Sequence, residues 1–175
     1  MSTKKKLNLP QEFLTSSPEE TYLLAKKFVR HFLAKREASA KKRGATLICL
    51  EGELGSGKTV FVQGLADGLG VKERILSPTF VIFKKFKLAG LKGTKKEKKG
   101  LVKWENFYHF DCYRINEPAE LLALGFENII VFPGNIVCLE WPQKIKKILS
   151  GEVFWLKFEI VGKNKRKIFF SKKFF

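Results

Sequence analysis

The feature that most constrains this chain is the run Gly52, Glu53, Leu54, Gly55, Ser56, Gly57, Lys58, Thr59, which follows a short apolar stretch and opens a helical pattern. It fits G-x-x-x-x-G-K-[ST] without a mismatch. Glycines at 52, 55 and 57 permit backbone angles that other residues avoid, so successive N–H groups can turn inward around a phosphate where a helix begins. The helix N-terminus adds partial positive charge. Lys58 then reaches the outer phosphates as a point charge, and the Thr59 hydroxyl can supply one oxygen to an octahedral Mg²⁺. Nucleotide contacts are therefore expected from Glu53, Leu54, Gly55, Ser56, Gly57, Lys58, Thr59 and Val60.

Around this turn the chain reads as alternating strands and helices. Ser17 as N-cap, Pro18 at the first helical position and Glu20 closing a capping box predict a helix over 17–33. An apolar strand follows at 45–50, buried on both faces, and a helix at 57–69 with Gly70 as its C-terminal cap. Val- and Phe-rich segments predict strands at 79–86 and 102–110. A short helix is expected at 118–124, stopped by Gly125, then a strand at 135–140 and a Lys-rich helical stretch to 149. Residues 153–161 and 166–170 read as a closing hairpin around Gly162, Lys163 and Asn164. Strands separated by crossovers predict an α/β fold whose central sheet is mainly parallel, with antiparallel edge strands. At 175 residues the chain suits one domain, 1–175.

Charge narrows the partners. With 34 Lys plus Arg against 17 Asp plus Glu, the net charge of +17 favours a polyanionic partner or an anionic membrane surface. Residues 84–103 alone hold nine lysines, one acid (Glu97) and three glycines, too polar to pack, and predict a mobile Lys-rich insertion at about 86–102. Those lysines either keep a Phe-rich chain soluble or contact the phosphates of such a partner. No apolar run reaches about 18 residues, and three cysteines make no disulfide framework, so neither a membrane span nor secretion is expected. A cytoplasmic setting fits. DNA and specific base reading find no support, for lack of a recognition motif.

Hydrolysis needs a carboxylate beside the metal and a group that positions water. In open α/β sheets such acids lie beyond the carboxyl ends of strands. Asp111 ends Phe107, Tyr108, His109, Phe110, and Glu140 ends Ile136, Val137, Cys138, Leu139; each is a site candidate or a solvated strand-end charge. His109 is either a structural hydrogen-bonding residue or part of the site, depending on whether its strand runs regularly to Asp111. Guanine specificity is unsupported, since the only Asn-Lys pair, Asn164 and Lys165, continues into Arg166 and Lys167. A small-molecule kinase is the alternative, weakened because only six arginines occur and 84–103 carries none. A non-catalytic RNA-binding module is the third reading.

Taken together, the loop at 52–59, Ser77-Pro78-Thr79-Phe80, His109-Phe110-Asp111-Cys112-Tyr113-Arg114 and Leu139-Glu140-Trp141-Pro142 resemble TsaE (YjeE), the P-loop ATPase family of bacterial tRNA threonylcarbamoyladenosine synthesis. Pro18-Glu19-Glu20-Thr21 and Glu120, Leu121, Gly125 agree with it. The resemblance runs over about 17–142, interrupted by the lysine-rich insertion. It implies a P-loop NTPase-like three-layer sandwich and a Mg²⁺-dependent ATPase that takes ATP and supports threonylcarbamoyl transfer to tRNA adenosine with TsaB and TsaD. Carried over by position, Lys58, Asp111 and Glu140 are catalytic, with Lys58 on the phosphates. Thr59 and Glu140 hold Mg²⁺, and Asp111 positions water or a metal-bound water. Ser77, Pro78, Thr79 and Phe80 form a switch, and Tyr113, Arg114 and Trp141 couple the site to partners. Slow turnover alone is expected, because no arginine finger can be assigned; Arg114 or a partner could supply one. The insertion is longer and more basic than the family's compact hairpin, and Cys112 stands where an aliphatic residue is usual.

Overall fold

The computed structural model describes residues 11–33, 44–76, 81–88 and 104–175. Its strands are β1 (Gln11–Thr15), β2 (Thr46–Glu51), β3 (Phe83–Lys87), β4 (Asn106–Asp111), β5 (Asn135–Glu140), β6 (Glu152–Ile160) and β7 (Arg166–Phe174). They form one seven-stranded sheet in the order β1-β7-β6-β2-β5-β4-β3. The centre, β6-β2-β5-β4, is parallel. β7 and β1 on one side and β3 on the other are antiparallel. This is the α/β arrangement expected from the crossovers.

Strand alternation splits the interior into two cores. In β2, Ile48 and Leu50 face the core shared with α1 (Pro18–Phe28) and α2 (Lys58–Gly68), while Leu47 and Cys49 face the opposite core. That second core is covered by α3 (Pro118–Ala123), α4 (Phe126–Val131) and a 3₁₀ segment, Pro142–Ile148. Three layers result. A strand walled on both faces has no polar side, which is why Thr46–Leu50 is buried throughout and reads as a continuous apolar run. The first core is built on phenylalanines: Phe28 meets Phe61, Phe154 and Phe170 edge to face at 5.3–6.1 Å.

Several local expectations are modified. Ser17 does cap α1, accepting from Glu20 N at 3.2 Å, but the Glu20 carboxylate accepts from Ser16 N at 2.7 Å, one residue earlier than a capping box requires. After Phe28 the helix widens into a π turn, Val29–Leu33. β1 lies where no strand was expected: five residues with only Phe13 packed against the core carry too short a pattern, and pairing with β7 supplies the rest. α4 was likewise unforeseen. The C-terminal apolar segment pads the sheet, since β7 is paired on both edges. β3 and β4 do form an antiparallel pair whose ends lead into the lysine-rich insertion; residues 89–103 of that insertion lie outside the described residues. Among the described residues, no helix is long and apolar enough to cross a membrane.

Candidate functional site

The phosphate-loop segment leaves β2 at Glu51 and turns into α2 at Lys58. Gly52 is demanded by packing: a Cβ there would sit 2.8 Å from the Phe158 carbonyl oxygen and 2.8 Å from Ser56 Oγ. Gly57 is demanded by conformation, with φ 94°, which a side chain would strain. No side chain caps the first turn of α2, so its amides remain available to an anion. Ser56 is buried, Glu53 and Leu54 are exposed, and Val60 is half-buried.

Register decides the rest. β4 and β5 pair so that Asp111 lies beside Glu140 and His109 beside Cys138. With Phe107, Ile136 and Cys138 in the α2-side core, alternation puts His109, Asp111 and Glu140 on that same side. Thr59, in the first turn of α2, donates its hydroxyl to Glu140, 3.2 Å from Oε1 and 3.3 Å from Oε2. His109, fully buried, places Nε2 at 2.9 Å from Glu140 Oε1. Its strand is regular, so it belongs beside the site. Asp111 Oδ1 accepts from Tyr113 N at 3.0 Å.

Lys58 Nζ donates to the Gly52 and Glu53 carbonyls, each at 2.8 Å, and lies 4.3 Å from the centre of the Trp141 ring. Burial pushes its ammonium below the usual lysine range, while the Glu140 and Asp111 carboxylates pull it back up. Trp141 is the only non-glycine with positive φ among the described residues, at 60°. Such a conformation costs about 1–2 kcal/mol for an L-residue. It turns the chain sharply after Glu140 so that the indole returns over Lys58 and meets Tyr113 at 5.1 Å.

These groups surround a cavity of about 450 Å³, with Lys58, Thr59, Asp111 and Glu140 inside and Tyr113, Arg114 and Trp141 around them. Gly55 and Gly57 line it as well, and nothing lies within 4 Å of a Cβ built on Gly55. The donor set fits Mg²⁺: a hydroxyl and a carboxylate are hard oxygen ligands, and that ion keeps few protein ligands when it is shared with phosphates. Among the described residues there is no cluster of three or more His, Cys, Asp or Glu that would enclose a metal in protein alone. The expected switch, Ser77, Pro78, Thr79 and Phe80, lies outside the described residues.

Sequence reasoning missed Arg166. From the start of β7 its Nη2 donates to the Gly55 carbonyl at 2.9 Å and its Nη1 to the Gly162 carbonyl at 3.1 Å, tying the loop to the closing hairpin. One arginine in a lysine-rich tail gave no signal. Thr21 is a second support: its methyl comes within 3.8 Å of a Cβ built on Gly57, and its hydroxyl bonds that of Thr15 at 2.8 Å.

Residues 15–168 match the family described as threonylcarbamoyl adenosine biosynthesis protein TsaE. The tRNA threonylcarbamoyladenosine biosynthesis protein TsaE of Bacillus subtilis is 34% identical over 158 residues, covering 90% of this chain and 82% of that protein. The protein of the same name from Rickettsia felis is 31% identical over 135 residues, covering 77% and 69%. Among solved structures, that of Bacillus subtilis YdiB superposes with a TM-score of 0.62 at 26% identity, covering 98% of this chain and 90% of that one.

Proposed function

The chain belongs to the TsaE family of tRNA threonylcarbamoyladenosine biosynthesis, and we propose that it serves there as a Mg²⁺-dependent ATPase working with TsaB and TsaD in the cytoplasm. The observation that carries this reading is the meeting of Thr59 with Glu140, 81 residues apart in sequence and 3.2 Å apart at the mouth of the phosphate loop. A structural turn needs no carboxylate at that point.

On this reading the amides of the loop and the first turn of α2 bind the phosphates, and Lys58 exchanges the Gly52 and Glu53 carbonyls for phosphate oxygens. Thr59 and Glu140 hold Mg²⁺, whose chemistry when bound is to neutralise charge on the transferred phosphoryl group. Asp111, beside Glu140, orients the attacking water. Trp141, against which Tyr113 packs, covers Lys58 and shields it from bulk water, which strengthens its charge toward the phosphates. No covalent step by the protein is required; catalysis rests on positioning and charge. The +17 charge and exposed Lys84 and Lys85 beside the insertion support contact with tRNA phosphates, an attraction that must weaken steeply with salt.

The test is ATP hydrolysis by the chain alone and with TsaB and TsaD, beside Lys58→Ala and Asp111→Asn. Slow turnover that rises with the partners and disappears in both variants is expected. Hydrolysis surviving Lys58→Ala overturns the site, and rapid turnover indifferent to the partners overturns their control.

A further inference from the structure

Glu140 is held on two sides. Thr59 approaches from α2 with a hydroxyl that can rotate, whereas His109 approaches from β4 with a fully buried ring. His109 is fully buried, in a strand paired on both edges, opposite Lys84 in β3 and Cys138 in β5. From there it reaches diagonally along the sheet to Glu140 Oε1 at 2.9 Å. A carboxylate only accepts, so Nε2 carries the hydrogen. The other ring nitrogen, Nδ1, is buried and meets no hydrogen-bond partner among the described residues. The polar group that this ring serves, among those residues, is therefore Glu140. Burying an imidazole with one nitrogen unsatisfied is unfavourable, and an apolar ring would fill the same place without that cost.

We propose that His109 is a positioning residue: it fixes Oε1 of Glu140 before any ligand arrives, leaving Oε2 and the Thr59 hydroxyl directed at the cation. The inference rests on the reading that Thr59 and Glu140 hold Mg²⁺. Its physical content is pre-organisation. When the Thr59 oxygen turns to the metal, the fixed Nε2–H still holds the carboxylate at its strand end, so Glu140 need not be ordered in the act of binding. Outer partners of metal ligands are worth about 10- to 100-fold in metal affinity.

The experiment compares wild type with His109→Gln and His109→Asn. A glutamine amide nitrogen reaches close to the position of Nε2, while an asparagine nitrogen stops near that of Nδ1 and cannot reach Glu140. ADP affinity is measured calorimetrically in EDTA and again across a Mg²⁺ titration, so that no turnover enters the readout. In H109N the gain in ADP affinity brought by Mg²⁺ should fall about tenfold or more, with affinity in EDTA unchanged. H109Q should restore most of that gain. An equal Mg²⁺-linked gain in all three proteins overturns the proposal, as does an equal loss in both variants, which marks a merely structural role. If H109N does not fold, ring ¹⁵N–¹H spectra of the wild type decide: a hydrogen on Nε2 supports the proposal, and Nε2 without one overturns it. A wild type without any Mg²⁺-linked gain overturns instead the assignment of the metal site.

Discussion

Replacing Gly64 with alanine puts a methyl group where α1 and α2 come closest. A Cβ at that position would lie 2.2 Å from the Tyr22 carbonyl oxygen and 2.9 Å from Tyr22 C and Cα. Ordinary contact begins at 3.4 Å, so the helices must separate by 3.4 − 2.2 = 1.2 Å, and every offending atom is backbone. They cannot part freely, because Ala25, Phe28 and Val29 of this helical segment are almost fully buried and Phe28 is held edge to face by Phe61, Phe154 and Phe170. Overpacking of this kind costs about 1–3 kcal/mol even where side chains can give, and two rigid backbones place it at or above the upper end. Alanine returns about 1 kcal/mol of helix propensity. A net loss of about 2 kcal/mol is expected, read as a lower urea midpoint. Gly68→Ala is the comparison: there the nearest atom is Val29 Cγ2 at 2.9 Å, a side chain with some freedom, so the loss should be smaller. Because α1 also carries Thr21, whose methyl lies 3.8 Å from a Cβ built on Gly57, G64A should weaken nucleotide binding as well. A G64A protein as stable as wild type, or stabilised as at an exposed helical glycine, refutes the close approach.

Arg166→Ala releases the Gly55 carbonyl from the closing hairpin, so nucleotide affinity should fall by more than the urea midpoint suggests; unaltered affinity in calorimetry tells against a supporting role. Burial lowers the Lys58 pKa, so the unfolded chain keeps that proton to higher pH and folding gains stability between the folded group's titration and the unfolded value of 10.5. Below that window the gain is absent. Paired melts of wild type and Lys58→Met without nucleotide should therefore diverge in favour of wild type as pH rises toward 10.5, and a pH-independent difference contradicts the burial effect. Burial pushes the Cys112 thiol up to about 12 and those of Cys49 and Cys138 well above the usual range. A thiol reagent at mildly alkaline pH should then modify all three only as fast as the protein unfolds; rapid labelling of the native protein would show a thiol exposed.

Whatever was encoded by neighbours in sequence was legible. The phosphate loop, the Ser17 cap, the strands on either side of Gly162 and the acid at the end of β5 each depend on a few contiguous residues, whose dihedral preferences or alternation suffice to reveal them. The β5 expectation matched Asn135–Glu140 without adjustment. β1 and α4 were not legible, because five or six residues bury too little to announce themselves and are held by what they pair with or pack on. Glu20 shows the limit at its smallest scale: its carboxylate chose the amide of Ser16 over that of Ser17, a choice of geometry that residue identity leaves open.

By itself the amino-acid order determined the phosphate-loop pattern on which the proposed nucleotide chemistry rests: glycines before Lys58 and Thr59 permit the φ angles of a turn whose amides can face a phosphate. Tertiary structure alone decided which distant groups face that turn. The register of β4 against β5 sets Asp111 beside Glu140, and the parallel pairing of β2 with β5, Leu50 opposite Glu140, brings the turn that carries Thr59 to the same carboxylate. The fall of Arg166 on Gly55 and the reach of His109 to Glu140 belong to the same class. A one-residue slip would turn every one of these strand side chains to the other face, and what prevents it is the packing of two cores, a property no short stretch of sequence contains.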